Sequence, residues 1–122
     1  MITNTLRRWL EGIKQGTKLV TSAGSAQSDA AQIGDNAVVY VTNSDGTKGI
    51  KLPKSAPGPI TVINAHASSV LKIYGQTDDT INKVTANSAY SLPAKTAVTL
   101  YPTPGSTAGL TNWYGVIGAA MP

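Results

Sequence analysis

The feature that most constrains the fold is a rhythm. From residue 37 to 117, short runs of apolar and β-branched residues recur at close intervals, each closed by turn-forming residues. AVVYVT (37–42) runs into NSDG (43–46), where Asp45-Gly46 favours a hairpin. GIKL (49–52) stops at Pro53, and ITVIN (60–64) follows the proline-broken loop SAPGP (55–59). VLKIY (70–74), TINKV (80–84), AYSL (89–92), AVTLY (97–101) and, after the loop PTPGSTAGL (102–110), NWYGVI (112–117) complete about eight strands. Their spacing leaves no room for crossover helices, so antiparallel pairing is expected.

The expected fold is therefore all-β, an antiparallel β-sandwich or jelly-roll-like barrel with an N-terminal helical or extended arm. Composition agrees: only 13% of residues are charged, with 12 glycines and 7 prolines. A length of 122 residues suits one domain with its own core. Alternation places Val39, Val41, Ile50, Leu52, Val62 or Ile63, Leu71, Ile73, Ile81, Val98 and Leu100 inside. LPKSA (52–56) and LPAKTA (92–97) suggest two similar corners.

Two zones precede this β-domain (37–122). Residues 1–18 have helical spacing, with Leu6, Trp9, Leu10 and Ile13 at i, i+3, i+4 and i+7. Thr3, Asn4 or Thr5 would cap the start and Gly16 the end. An isolated helix of this length is marginal in water, so its apolar stripe needs a surface. That surface is the arm's own domain or another subunit. TSAGSAQSDAAQIGDN (21–36) is small and polar, and reads as an extended linker or as a loop along its own domain. Together, residues 1–36 form the arm.

Charge is concentrated in the same arm. Residues 1–18 carry Arg7, Arg8, Lys14 and Lys18 against Glu11, while residues 19–122 balance six lysines with five aspartates. A nearly neutral body argues against a nucleic-acid surface there, whereas a basic arm suits nucleic acid, anionic lipid or an acidic protein surface; the short stripe and few basic residues make membrane-surface binding the weaker of these. TLRRWLEGIK (5–14) superficially resembles a twin-arginine export signal, but Glu11, Lys14 and Gln15 interrupt the apolar run such a signal needs. No run approaches the length of a transmembrane helix.

The chain offers little for catalysis. It has no cysteine, one histidine and one glutamate, so thiolate zinc sites and thiol nucleophiles are excluded. His66, in NAHASS between two strands, lacks histidine, cysteine or glutamate partners nearby and reads as a turn residue. Asp78-Asp79, in GQTDDT (75–80), lacks the alternating oxygens of a calcium loop and also reads as turn chemistry. Phosphate-binding glycine loops and nucleophile elbows do not occur. No catalytic, cofactor or metal site is expected. Trp113 and Tyr114 are candidate glycan contacts, with one ring inside a strand core and the other outside as the alternative reading; Tyr74 and Tyr101 are further aromatic candidates.

The order of Leu52-Pro53, TVIN (61–64), LKIYGQTDDTIN (71–82), a hydrophobic strand pair and NWY (112–114) resembles the small β modules of tailed-bacteriophage virions. Those modules share a V-N, L-x-V-Y, D-x-I-N order with a late W-Y, and occur in head-decoration (cement) proteins and in fibre or spike proteins. The resemblance spans roughly residues 36–117, and the aspartate pair before Thr80-Ile81-Asn82 is a small departure. It implies a non-enzymatic virion structural protein on the outer capsid surface. Such a protein would be a homotrimer stabilising the assembled head through the major capsid protein, with no nucleic-acid or membrane partner. The arm, outside the shared pattern, would supply partner contacts from Leu6, Arg7, Arg8, Trp9, Leu10 and Ile13. A tail-fibre, spike or adaptor module binding a receptor or glycan is the alternative.

Overall fold

A computed structural model describes residues 17–118, apart from 55, 57, 84, 106 and 108. The strands are β1 (Thr17–Leu19), β2 (Ala31–Gln32), β3 (Val38–Val41), β4 (Gly49–Lys51), β5 (Ile60–Asn64), β6 (Leu71–Tyr74), β7 (Thr80–Ile81), β8 (Tyr90–Leu92), β9 (Thr96–Pro104) and β10 (Thr111–Ile117). They form a sandwich of two sheets. One has six strands in the order β1-β3-β5-β9-β10-β7, the other four in the order β2-β4-β6-β8.

The fold is all-β, but its sheets are mixed rather than antiparallel. β1, β3 and β5 pair in parallel in one sheet, and β2, β4 and β6 pair in parallel in the other. Successive strands alternate between sheets, so the first six wind as a flattened coil. Register runs Thr17 to Val38 to Thr61 across the first sheet, one turn of the coil at each step. A parallel pair needs a long crossover connection. Here the crossover carries a strand of the opposite sheet, so close spacing does not enforce hairpins. The Asp45-Gly46 turn accordingly joins β3 to β4 across the sandwich and makes no hairpin. Antiparallel pairing enters later, where β9 pairs with β5 and β10, and β8 with β6.

Residues 17–36 belong to both sheets. β1 extends the six-stranded sheet, β2 extends the other, and Ile33 lies in the core. Their short, polar runs carry no alternation of their own, and backbone pairing to β3 and β4 holds them. β9 runs on through Pro102 and Pro104, beyond the end expected at Tyr101. Past Leu100, where β5 begins its pairing, β9 pairs with β10 alone among the described residues, so the N–H that proline lacks is not needed by a ladder there.

The core lies between the sheets. Val39, Val41, Ile50, Leu52, Leu71, Ile73, Ile81, Val98 and Leu100 are buried as alternation requires, and β5 turns Ile60 and Val62 inward rather than Ile63. Leu92 and Trp113 complete it.

The corners of the coil are fastened by polar side chains. Asn43 Oδ1 accepts from the N–H and hydroxyl of Ser22, both at 2.9 Å. One turn later, Asn64 Oδ1 accepts from Ser44 Oγ at 2.8 Å. Asn64 Nδ2 donates to the carbonyls of Ser69, Leu92 and Pro93 at 2.8, 3.0 and 3.1 Å. The two LP corners are alike in this respect: amide side chains also cap the Leu52 carbonyl, Gln76 Nε2 at 2.8 Å and Gln32 Nε2 at 3.2 Å.

At the β3–β4 turn, Asp45 Oδ1 accepts from the N–H groups of Lys48 and Thr47 and from the Thr47 hydroxyl. These donors, Lys48 N–H foremost, hold its carboxyl down to about 2. The depressed folded value means that the charge stabilises the fold above the unfolded value of about 4. That contribution is lost as pH falls through the folded value. We expect the Asp45 carboxyl signal to titrate near 2 by NMR, and the Asp45→Ala variant to lose this part of the acid sensitivity.

Candidate functional site

The ionisable residues singled out by sequence make hydrogen bonds within the fold. His66 Nδ1 accepts from the N–H groups of Ser68 and Ser69 at 3.1 and 2.9 Å, closing the β5–β6 turn. Asp78 sits in the next turn at a positive φ of 69°, its N–H donating to Asn87 Oδ1 at 2.8 Å. Its neighbour does something a turn residue does not. Asp79 is buried, and its Oδ1 accepts from the Thr111 N–H at 2.9 Å, pinning the start of β10. Lys54 Nζ lies 3.6 Å from the same oxygen. Reading both aspartates as turn chemistry holds for Asp78 and fails for Asp79, because period-2 alternation from Ile81 also turns residue 79 inward. Among the described residues, no group of three His, Cys, Asp or Glu side chains is placed to hold a metal ion.

The aromatic candidates divide by burial. Trp113 is 0% exposed and pairs with Ile81 in the core, so it has no ring face to offer a glycan. Tyr74 is also buried, but on the outer side of the four-stranded sheet beside Lys51, with its ring close over Gly49. Tyr114 points outward and lies directly opposite Tyr101 on β9, and both rings reach solvent.

That pair belongs to a larger surface. On the outer side of the six-stranded sheet, register sets Leu19, Tyr40, Ile63 and Ala97 in one row. The next row is Thr17, Val38, Thr61, Thr99 and Val116. The tyrosine pair follows, and then Thr103, Asn112 and Thr80. Not one of these outward positions carries a charge. Leu19 is 65% and Val116 62% exposed, and Tyr40 joins them in facing solvent. Single exposed apolar residues are ordinary; here several share one sheet face, interspersed with Thr17, Thr61, Thr99, Thr103 and Asn112.

The outer side of the four-stranded sheet is built differently. Gln32, Lys51, Lys72 and Ser91 project there, and Lys72 Nζ donates to Ser91 Oγ at 2.8 Å. The two outer sides thus differ: one carries lysines, and the outward positions named on the other carry no charge. Sequence reasoning flagged Tyr101 and Tyr114 but missed Leu19, Tyr40 and Val116. Only the pairing order brings these distant residues together.

Six predicted contact residues, Leu6, Arg7, Arg8, Trp9, Leu10 and Ile13, lie outside the described residues. The chain leading from them enters the fold at Thr17 on β1, the edge strand of the uncharged face. No helix among the described residues is long and apolar enough to cross a membrane. In comparisons with known proteins, no family model, curated protein or solved structure matches this chain.

Proposed function

We propose that this chain is a non-enzymatic structural protein of a phage virion, a decoration protein that binds and stabilises the assembled head. In this reading it is a homotrimer on the outer capsid surface, its partner is the major capsid protein, and neither nucleic acid nor membrane is bound. The observation that carries a binding role is the uncharged, partly apolar face of the six-stranded sheet, set against a lysine-bearing face on the other side. Support for the virion setting comes from the order of sequence motifs across residues 36–117.

The physics suits the task. A sandwich whose corners are tied by buried amide hydrogen bonds is a durable knob. A protein that binds the assembled shell and not its separated subunits stabilises the shell by mass action. Threefold repetition of a modest contact supplies avidity without a single tight site.

The exposed Tyr101–Tyr114 pair favours a second reading, a fibre, spike or adaptor module that stacks these rings on a glycan or receptor. Copy number separates the two. Mass spectrometry of purified particles is expected to find this chain in numbers comparable to the main shell protein. A few copies per particle would favour the fibre reading, and absence from particles would sink both.

A further inference from the structure

β10 is longer than the strand beside it. It runs from Thr111 to Ile117, but β7 pairs only with Asn112 and Trp113. After Ile81 the chain turns away through Asn82 and Lys83, and Asn82 closes the pairing as it leaves. Its N–H donates to the Trp113 carbonyl at 2.7 Å, and its Oδ1 accepts from the Gly115 N–H at 2.8 Å. We propose that the stretch of β10 beyond this closure, Gly115 to Ile117, is a strand-addition site. It takes an extended segment of a partner protein, with an apolar residue turned inward beside Ile117 and a carboxylate for Lys83.

Backbone geometry comes first. The Gly118 N–H donates to the Ala97 carbonyl on β9. Alternation therefore turns the Gly115 carbonyl and both backbone polar groups of Ile117 to the opposite side, past the end of β7. Among the described residues no strand pairs with them. Such an edge is a template for another strand, and β7 meets the same edge of β10 over only two residues.

Side chains fit the same reading. Ile117 lies opposite Val98, which is fully buried, so its side chain has inward parity and is nevertheless 49% exposed. An added strand would cover it. The opposite edge of this sheet is built the other way. β1 carries Lys18 in register with Val39 and Val62, an inward charge of the kind that deters strand addition. Val116, of outward parity, belongs to the uncharged face, so a strand added here would continue that face.

Charge supplies the third observation. Asn82 and Lys83 are consecutive left-handed residues, at φ 55° and 58°. Two such residues in a turn favour Asn-Gly, so glycine would sit at 83 with less strain, and the chain holds an exposed cation there instead. Lys95, also exposed, is left-handed at φ 54° in the turn that leads into β9. The segments 82–83, 95–97 and 115–118 hold these two lysines and no carboxylate. An acidic side chain on the added segment is the complement. This deepens the proposed function and rests on it only for the partner's identity, which there is the shell protein.

The test uses the full chain alone and a synthetic hexapeptide, valine and threonine alternating with a glutamate at each end, followed by amide NMR. Pairing predicts saturable shifts centred on Gly115, Ile117 and the Asn82–Lys83 turn, with slowed exchange of the Ile117 amide. The same peptide N-methylated throughout has no backbone donors and is expected to produce neither. Ile117→Pro deletes the N–H on the open side while leaving the bonds to β9, and is expected to weaken binding roughly tenfold. Lys83→Gly is expected to weaken binding of the glutamate peptide while raising the urea midpoint. A lysine that served only the turn would change the midpoint alone. If Ile117→Pro does not fold, the N-methylated peptide decides. No shift on β10 at millimolar peptide, equal binding of the N-methylated form, or shifts on β1 instead would each overturn the site. Unchanged binding in Lys83→Gly overturns its acidic half. None of these results depends on a shell, so a failed titration leaves the virion reading standing, and absence from particles leaves the site intact.

Discussion

Trp113→Ala is expected to cost about 3–5 kcal/mol, close to the whole stability of a small domain. The indole is fully buried among the core residues of both sheets. Its Nε1 has no hydrogen-bond partner among the described residues, so the loss is one of packing and cavity, not of a polar contact. Tyr114, one residue on and facing outward opposite Tyr101, behaves differently. Tyr114→Ala removes a cross-strand ring pair worth about 0.2–1 kcal/mol. Urea unfolding of the two variants checks this contrast, and similar small costs for both would refute the strand parity. The contrast also governs any glycan experiment. Loss of binding in a Trp113 variant would report unfolding, whereas Tyr101 and Tyr114 are the substitutions that test a sugar platform.

The second large effect is at a polar residue. Asn64 is fully buried and fastens three corners, reaching Ser44, Ser69 and the Leu92-Pro93 segment. Asn64→Ala leaves the Ser44 hydroxyl and the Leu92 carbonyl without this partner in places where water cannot readily replace it. Each orphaned buried group costs about 1–3 kcal/mol, so the variant is expected to lose about 3 kcal/mol or more. A loss below 1 kcal/mol would mean that water takes over the amide's role and that the corner ties are not what holds the coil. Hydrogen exchange at the β5 and β8 ends would locate the loosening.

Faces of strands were legible in the sequence and their neighbours were not. Alternation marks Val39, Val41, Ile50, Leu52, Leu71 and Ile73 as inward because the side-chain period of a strand is two. That period says which side a residue occupies and nothing about which strand lies next to it. Asp45-Gly46 illustrates the gap: the same dipeptide serves a hairpin and a corner between sheets, and the coil selects the corner. β1 and β2 escape notice because TKL and AQ are too short to show alternation. The uncharged face was legible only in pieces. Tyr101 and Tyr114 stand out as aromatics, while Leu19, Tyr40 and Val116 acquire meaning only when register sets them on one sheet face. Asp79 looked like its neighbour until β10 was placed against it.

The proposed role comes down to preference for an assembled shell over its parts, and a binding measurement addresses it directly. Purified chain would be titrated onto particles stripped of it and, separately, onto dissociated shell subunits. Saturable binding to the particles alone, weakened when residues 1–16 are removed, is the expected result. No binding to particles, or equal binding to free subunits, would contradict a decoration protein that works by stabilising the assembled state.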